Sequence, residues 1–140
     1  MNRAEFQDLA DLRIAEAECL FHNGLFEGAY YLAGYSVECG LKACIAKLTK
    51  QYDFPDRNTK DTHYVHDFVK LVKTAGLSAI LEADCTANPD LDANWVIVRK
   101  WREDSRYEPK GRKTEDHSRD LIQAITQPRD GVLSWIRLYW

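Results

Sequence analysis

The sequence predicts an all-α fold, an antiparallel four-helix-type bundle with extra short helices, in a single domain over residues 1–140. Apolar residues recur at spacings of three and four along two long N-terminal segments and one C-terminal segment, which is the period of a helix. No useful length of the chain alternates apolar and polar residues as a strand does. A chain of 140 residues, 45% of them hydrophobic, also suits one domain with its own core.

The first helix is predicted from Arg3 to Phe21. Asn2 is placed to cap its N-terminus, and Glu5, three residues on, completes a capping-box pattern. Gly24 suits the left-handed position that follows a helix C-terminus. These signals predict a short turn before the second helix.

The second helix is predicted from Leu25 to Lys50 and is the strongest signal in the chain. One of its faces is apolar throughout: Phe26, Tyr30, Ala33, Val37, Leu41, Cys44 and Leu48. A second face consists mostly of small residues: Ala29, Leu32, Ser36, Gly40 and Ala43. A helix that is apolar on two faces is either the central element of a bundle or is shared with a partner subunit.

The rest of the chain is predicted as shorter helices, loops and one long closing helix. In order, the segments are a loop at Gln51–Val65, helices at His66–Thr74, Ala79–Ala83 and Leu91–Arg102, a polar loop at Glu103–Lys113, and a last helix capped by Thr114. The apolar stripe of the last helix keeps its phase across Pro128, which predicts one kinked helix. Gly131 leaves a true break as the alternative.

Charge is distributed unevenly along the chain. The net charge of −3 argues against a generic nucleic-acid coat protein. Residues 99–113, however, hold seven basic and three acidic residues, a net of +4. This basic stripe is either a phosphate-binding surface or a solvated, salt-bridged helix end.

Neither a membrane span nor a metal site is expected. No apolar run is long enough to cross a bilayer and the N-terminus lacks the layout of a secretory signal, so a cytoplasmic location is predicted. His63, His66 and Asp67 make a weak zinc pattern because no cysteine lies near them, and no cofactor is expected. Four cysteines lie in apolar-periodic segments without a CxxC pattern, which predicts free, buried thiols: Cys19, Cys39, Cys44 and Cys85.

Residues 28–48, GAYYLAGYSVECGLKACIAKL, resemble the core helix of HEPN domains. The residues that occupy the places of the family pattern are Ala29, Tyr31, Ala33, Glu38, Leu41, Lys42 and Ala43. HDFVKLV at 66–72 and WREDSRYEP at 101–109 are similar to two further segments of the family, in the same order, the second being typical of its RY-containing branch.

The resemblance implies an antiparallel helical bundle that commonly forms a homodimer and binds nucleotide or RNA. It also implies a partner, since such domains are often encoded beside a nucleotidyltransferase in bacterial or archaeal toxin–antitoxin or defence modules. Some branches are metal-independent ribonucleases built around an Arg-x(4–6)-His motif. Because one fold hosts many functions, membership alone does not choose among these roles.

Arg112 and His117 fit the ribonuclease motif with four residues between them. In those branches the histidine acts as general base or acid on the ribose 2′-hydroxyl, and the arginine holds the phosphate, so no metal is needed. Lys113 stands where those branches favour Asn, Asp or His. The alternative interpretation is a loop cation beside a surface histidine.

Arg106 and Tyr107 are the alternative anchor for a ligand. Arginine offers a planar fork to phosphate, and tyrosine offers a face on which a base stacks. The same pair could instead clamp the loop to the bundle. A structural or binding role is favoured over catalysis.

Glu38 and Lys42 are spaced i, i+4 on the second helix, which makes them either an exposed ion pair or a buried one. If Glu38 is buried it needs a cation, and Arg13 or Arg106 is the predicted partner. His66 is expected to cap its helix and pack. All of these residues are included in the predicted ligand-binding set.

The favoured function is a homodimeric HEPN-type module that binds nucleotide, RNA or a partner protein without catalysis. The alternative is a metal-independent endoribonuclease that uses Arg112 and His117. A third hypothesis is an antitoxin whose surface only neutralises its partner.

Overall fold

The computed structural model describes residues 1–48 and 65–140. These residues form seven α-helices and one 3₁₀ helix and contain no strand: α1 Arg3–His22, α2 Phe26–Leu48, α3 Phe68–Thr74, α4 Ser78–Ala87, α5 Pro89–Val98, the 3₁₀ helix Glu103–Tyr107, α6 Glu115–Thr126 and α7 Val132–Ile136. The all-α prediction is therefore confirmed. The predicted loop up to residue 64 and the predicted last residues of the second helix lie outside the described part of the chain.

The turn signals around α1 act as the sequence predicts. The Asn2 side chain accepts a hydrogen bond from the Glu5 backbone N–H at 2.9 Å, and the Glu5 carboxylate accepts one from the Asn2 N–H at 2.7 Å. Gly24 follows the helix at φ +75°, a left-handed conformation that glycine adopts without strain. The chain then turns at once into α2, and the two helices pack along each other.

The second helix, α2, is the central element of the bundle. It contacts α1, α3, the 3₁₀ helix, α6 and α7, and both of its predicted apolar faces contribute buried residues. At Gly40, a Cβ atom would lie 3.1 Å from Ile136 and 3.3 Å from Leu133, so the small-residue face is covered by α7 of the same chain. That face is not left free for a partner subunit.

Trp101 is the largest fully buried side chain, and it lies beyond the helix in which it was predicted. The predicted helix Leu91–Arg102 ends at Val98, and the chain bends there so that the indole packs flat on the backbone of Gly34. The Phe68 ring stacks on the indole with centroids 5.1 Å apart and planes 3° apart. This stack joins α2, α3 and the segment after α5.

The prediction of one kinked helix across Pro128 is wrong. α6 ends at Thr126, and Gln127 adopts an extended ψ of 127°, because the residue before a proline is disfavoured in the helical region. A turn follows, and α7 begins at Val132, so the break that Gly131 made possible is the one found. The Asn94 amide donates to Gln127 Oε1 at 3.0 Å and to the Asp130 carbonyl at 2.9 Å, which fixes this turn to α5.

One cluster of buried side chains includes members of all seven α-helices in the described residues. The C-terminal aromatic residues also pack on the chain itself. The Arg137 guanidinium lies 5.6 Å from the centre of the Trp140 ring, and the Arg3 side chain bonds the Trp140 carbonyl. Within residues 1–48 and 65–140, no helix is long and apolar enough to span a bilayer.

The cysteines are free thiols, but they are not all buried. Cys39 and Cys44 lie in the core, Cys85 is half-buried, and Cys19 is exposed on the solvent side of α1, so the prediction of a buried thiol is wrong for Cys19. Burial raises the pKa of Cys39 to about 12 and that of Cys44 to about 11. The reactive thiolate form is therefore scarce at both core positions at pH 8.

At pH 8, N-ethylmaleimide is expected to modify Cys19 within minutes and Cys39 and Cys44 only after the protein is unfolded in guanidinium chloride. Peptide mapping by mass spectrometry over time, with and without denaturant, identifies which thiols are modified and measures this difference. Cys19 in the same molecule is the internal control. Labelling of the native protein at Cys39 or Cys44 as fast as at Cys19 would contradict the packing of α2 described above.

Candidate functional site

The loop that joins the 3₁₀ helix to α6 is held against α2. The Glu27 carboxylate accepts a hydrogen bond from the Gly111 backbone N–H, and this bond lowers the pKa of Glu27. Gly111 has φ +89°, a conformation that favours glycine. Nearby, the Lys113 ammonium lies 4.4 Å from the centre of the Tyr30 ring. These contacts fix the backbone on either side of Arg112.

His117 is the third residue of α6 and forms part of its N-terminal cap. The Thr114 hydroxyl accepts a hydrogen bond from the His117 backbone N–H at 3.3 Å, and His117 Nδ1 lies 3.2 Å from the Thr114 backbone N–H. A backbone N–H can only donate, so Nδ1 is the acceptor and, in the neutral ring, Nε2 carries the proton. His117 therefore presents a donor at its outer nitrogen.

Arg112 and His117 line the same open depression, which has a volume of about 630 Å³. Its lining residues are Asp104, Tyr107, Glu108, Pro109, Arg112, Lys113 and His117. Tyr107 is 76% exposed, and the Arg106 guanidinium lies 4.7 Å from the centre of its ring. The structure thus brings the predicted pair of residues together with the predicted aromatic anchor.

The charges around this depression are largely paired with one another. Lys113 lies 3.5 Å from the Glu108 carboxylate, and Arg119 pairs with Glu115 at 2.8 Å and with Asp116 at 2.7 Å. Arg112 has no ion-pair partner within residues 1–48 and 65–140. An exposed guanidinium without a carboxylate partner is available to an anionic ligand.

Glu38 is buried, with 1% of its surface exposed, so its pair with Lys42 is the buried one of the two predicted alternatives. Lys42 Nζ lies 2.8 Å and His66 Nδ1 lies 2.9 Å from its carboxylate. The predictions of Arg13 or Arg106 as the partner are wrong. Each of these arginines is taken by a carboxylate one turn away on its own helix, as for Arg13 with Glu16 at 2.6 Å.

A series of polar contacts connects the buried Glu38 to the exposed Tyr107. His66 Nε2 lies 2.9 Å from Glu103, and Glu103 lies 3.0 Å from Arg106, which stacks on Tyr107. This chain of polar contacts connects the centre of α2 to the rim of the depression. We interpret Glu38 as a residue that positions His66 and, through Glu103, Arg106, because Glu38 itself is inaccessible to a ligand.

In the sequence, His66 is a predicted helix cap, and His63 and His66 form part of a weak metal pattern. His66 does not cap α3, because the Asp67 side chain accepts the hydrogen bond from the Lys70 N–H at 3.2 Å instead. His63 lies outside the described residues. In the part of the chain that is described, no three His, Cys, Asp or Glu residues are grouped as metal ligands.

Two residues of this region were not predicted from the sequence. Glu103 bridges His66 and Arg106. Its i, i+3 spacing from Arg106 is the sequence pattern that could have predicted this ion pair. Glu27 anchors Gly111 across 84 positions of sequence, and no local pattern indicates such a contact.

The sequence of this helical protein matches the model of a known domain family. The family model of the HEPN domain matches residues 6–128, most of the chain. The chain belongs to the HEPN domain family. Membership supports a nucleotide- or RNA-related role in general terms. Comparisons with curated proteins and with solved structures gave no significant match.

Proposed function

We propose that this HEPN domain binds a nucleotide or single-stranded RNA at the depression lined by Tyr107, Arg112 and His117, without catalysis. The observation that carries the proposal is that an exposed aromatic ring, an imidazole and a guanidinium line one open depression, the guanidinium having no ion-pair partner among the described residues. A base would stack on Tyr107, and its phosphate would meet Arg112 and the outer N–H of His117.

The hydrogen bond at His117 Nδ1 argues against one catalytic role, that of general base on the ribose 2′-hydroxyl. Nδ1 is occupied by the Thr114 N–H, so the outer nitrogen of the neutral ring is a donor and cannot accept the 2′-hydroxyl proton. A donor at that position suits the contact with a phosphate oxygen.

Tyr107→Ala and Arg112→Ala are each expected to weaken binding of a fluorescent single-stranded RNA by about 1–3 kcal/mol. Fluorescence anisotropy measures the affinity, and competition by 5′-AMP shows whether a mononucleotide is sufficient. Lys73→Ala, an exposed cation on α3, is the matched control and should leave the affinity unchanged. Equal loss in all three variants would indicate non-specific charge attraction, and absence of binding by the unaltered protein to both probes would refute the proposal.

The competing function is a metal-independent ribonuclease, favoured by the shared position of Arg112 and His117 at one depression. The RNA panel is therefore also incubated in EDTA with the unaltered protein and with His117→Ala. Cleavage that is lost in the variant would make the protein an enzyme. Intact RNA with both proteins supports binding alone.

The assembly proposed for this module is a homodimer that acts with a nucleotidyltransferase-type or other partner in a toxin–antitoxin or defence system. Family membership supports this proposal, since HEPN domains commonly dimerise. The genes that flank this one are a direct check on the partner.

A further inference from the structure

The depression that Tyr107 and Arg112 line also contains the carboxylate of Asp104. Asp104 is exposed, and within residues 1–48 and 65–140 it belongs to no ion pair. The other carboxylate of the lining, Glu108, lies 3.5 Å from the Lys113 ammonium, which balances its charge. Among the described residues, the depression therefore has one carboxylate, Asp104, and one guanidinium, Arg112, that are not neutralised by a neighbour.

Asp104 also lines a smaller neighbouring depression, where the cationic side chains have other partners. Arg102 lies 3.9 Å from Asp67, and His66 Nε2 lies 2.9 Å from Glu103. Neither cation lies within ion-pair distance of Asp104 in the described part of the chain. The Asp104 carboxylate is consequently available to a ligand in the larger depression.

The 3₁₀ helix places Asp104 on the same face as Tyr107. Three residues make one turn of such a helix, so side chains at positions i and i+3 lie one above the other, about 6 Å apart along the axis. Tyr107 is 76% exposed and lines the same depression. A base that stacks on the Tyr107 ring therefore brings one edge toward the Asp104 carboxylate.

We propose that Asp104 makes this site selective for guanine, an inference that rests on the nucleotide or RNA binding proposed above. An ionised carboxylate only accepts hydrogen bonds, and its two oxygens lie side by side. The Watson–Crick edge of guanine presents two adjacent donors, N1–H and the N2 amino group, which match these oxygens in a bidentate, charge-assisted pair. Arg112 and the outer N–H of His117 remain for the phosphate.

The other three bases fit a carboxylate less well. Adenine and cytosine each offer one amino group beside a ring nitrogen that is an acceptor, and uracil offers one N–H between two carbonyl oxygens. In each case an acceptor would face the carboxylate, which weakens binding because two acceptors repel each other. The same side chain thus selects guanine and rejects its competitors.

Short fluorescent uridine oligonucleotides with a single central guanosine, inosine or adenosine test this selectivity by anisotropy. The unaltered protein is expected to bind the guanosine probe about tenfold more tightly than the adenosine probe. Inosine keeps N1–H and lacks the amino group, so its affinity should fall between the two. Equal affinity for the three probes would overturn the inference and leave the proposed function intact, whereas absence of binding to all of them would refute both.

Asp104→Asn separates base recognition from simple charge repulsion. Loss of a negative charge alone would tighten the binding of all three anionic probes by the same factor, and that result would overturn the inference. Loss of the bidentate acceptor should instead weaken binding of the guanosine probe about tenfold. Adenosine binding should stay the same or tighten, because an amide can accept from the adenine amino group and donate to the ring nitrogen beside it.

Asp8→Asn, which removes an exposed carboxylate from α1, is the matched control and should leave the preference for guanosine unchanged. Circular dichroism confirms that both variants are folded. A preference for guanosine that persists in Asp104→Asn would show that another residue reads the base and would also overturn the inference.

Discussion

Glu38→Ala is expected to destabilise the protein by about 3 kcal/mol, the low end of the cost of removing one partner from a buried ion pair. The substitution leaves the Lys42 ammonium, whose side chain is only 12% exposed, without its carboxylate, and it removes the acceptor of His66 Nδ1. A cavity where the Glu38 side chain was adds to the cost. Urea unfolding followed by circular dichroism measures the change in the free energy of unfolding.

Glu16→Ala is the matched control for this prediction. Glu16 pairs with Arg13 at 2.6 Å on the surface of α1, and exposed pairs of this kind contribute about 1 kcal/mol or less. Similar unfolding midpoints for the two variants would mean that the Glu38 carboxylate is solvated and that the chain of contacts to Arg106 is not built on a buried pair. Glu38→Gln, which keeps the shape and loses the charge, separates the cavity from the electrostatics.

Gly34→Ala is expected to cost about 3 kcal/mol, although alanine is the better helix former. A Cβ atom at position 34 would lie 2.2 Å from the Trp101 indole, far inside van der Waals contact. The indole cannot give way easily, because it is 1% exposed and stacked against Phe68. Thermal and urea unfolding of the variant measure the loss.

Gly28→Ala on the same helix controls for helix propensity. Its nearest neighbour would be a methyl group of the flexible Leu20 side chain at 3.2 Å, so the variant should be neutral or stabilised by up to about 1 kcal/mol. A cycle with Trp101→Ala then isolates the clash, since Gly34→Ala should cost little once the indole is gone. A full cost in that background would show that Trp101 is not the cause.

The parts of the fold that local sequence determines were predictable. The capping box of Asn2 and Glu5 and the glycine turn at Gly24 both depend on neighbours within a few residues. The periodicity of α2 identified the central helix, because a buried helix repeats its apolar residues whichever elements surround it.

The parts that were wrong depend on contacts between distant segments. Trp101 leaves the helical path because Gly34, 67 positions earlier, has no side chain and makes room for the indole. The turn after Thr126 is held by hydrogen bonds from Asn94, a residue of another helix. The apolar residues keep a helical spacing across Pro128, but that spacing is the same for a kinked helix and for two helices that pack on one core.

The candidate site also has a part that the sequence predicts and a part that it does not. The spacing of Arg112 and His117 and the adjacency of Arg106 and Tyr107 are visible in the sequence, and these side chains meet at one depression or its rim. Their supports are not visible, because His66 reaches Glu38 across 28 positions. Sequence reasoning therefore names the outer residues of the site better than the residues that hold them.

The break after Thr126 makes α7 dependent on its surroundings. With five residues, Val132–Ile136, it is far below the roughly 12 residues at which an isolated helix becomes even marginally stable in water. Its helical form exists only while Leu133 and Ile136 rest on Gly40. Docking and helix formation are consequently a single event for the C-terminal segment, which is helical only when it is packed on α2.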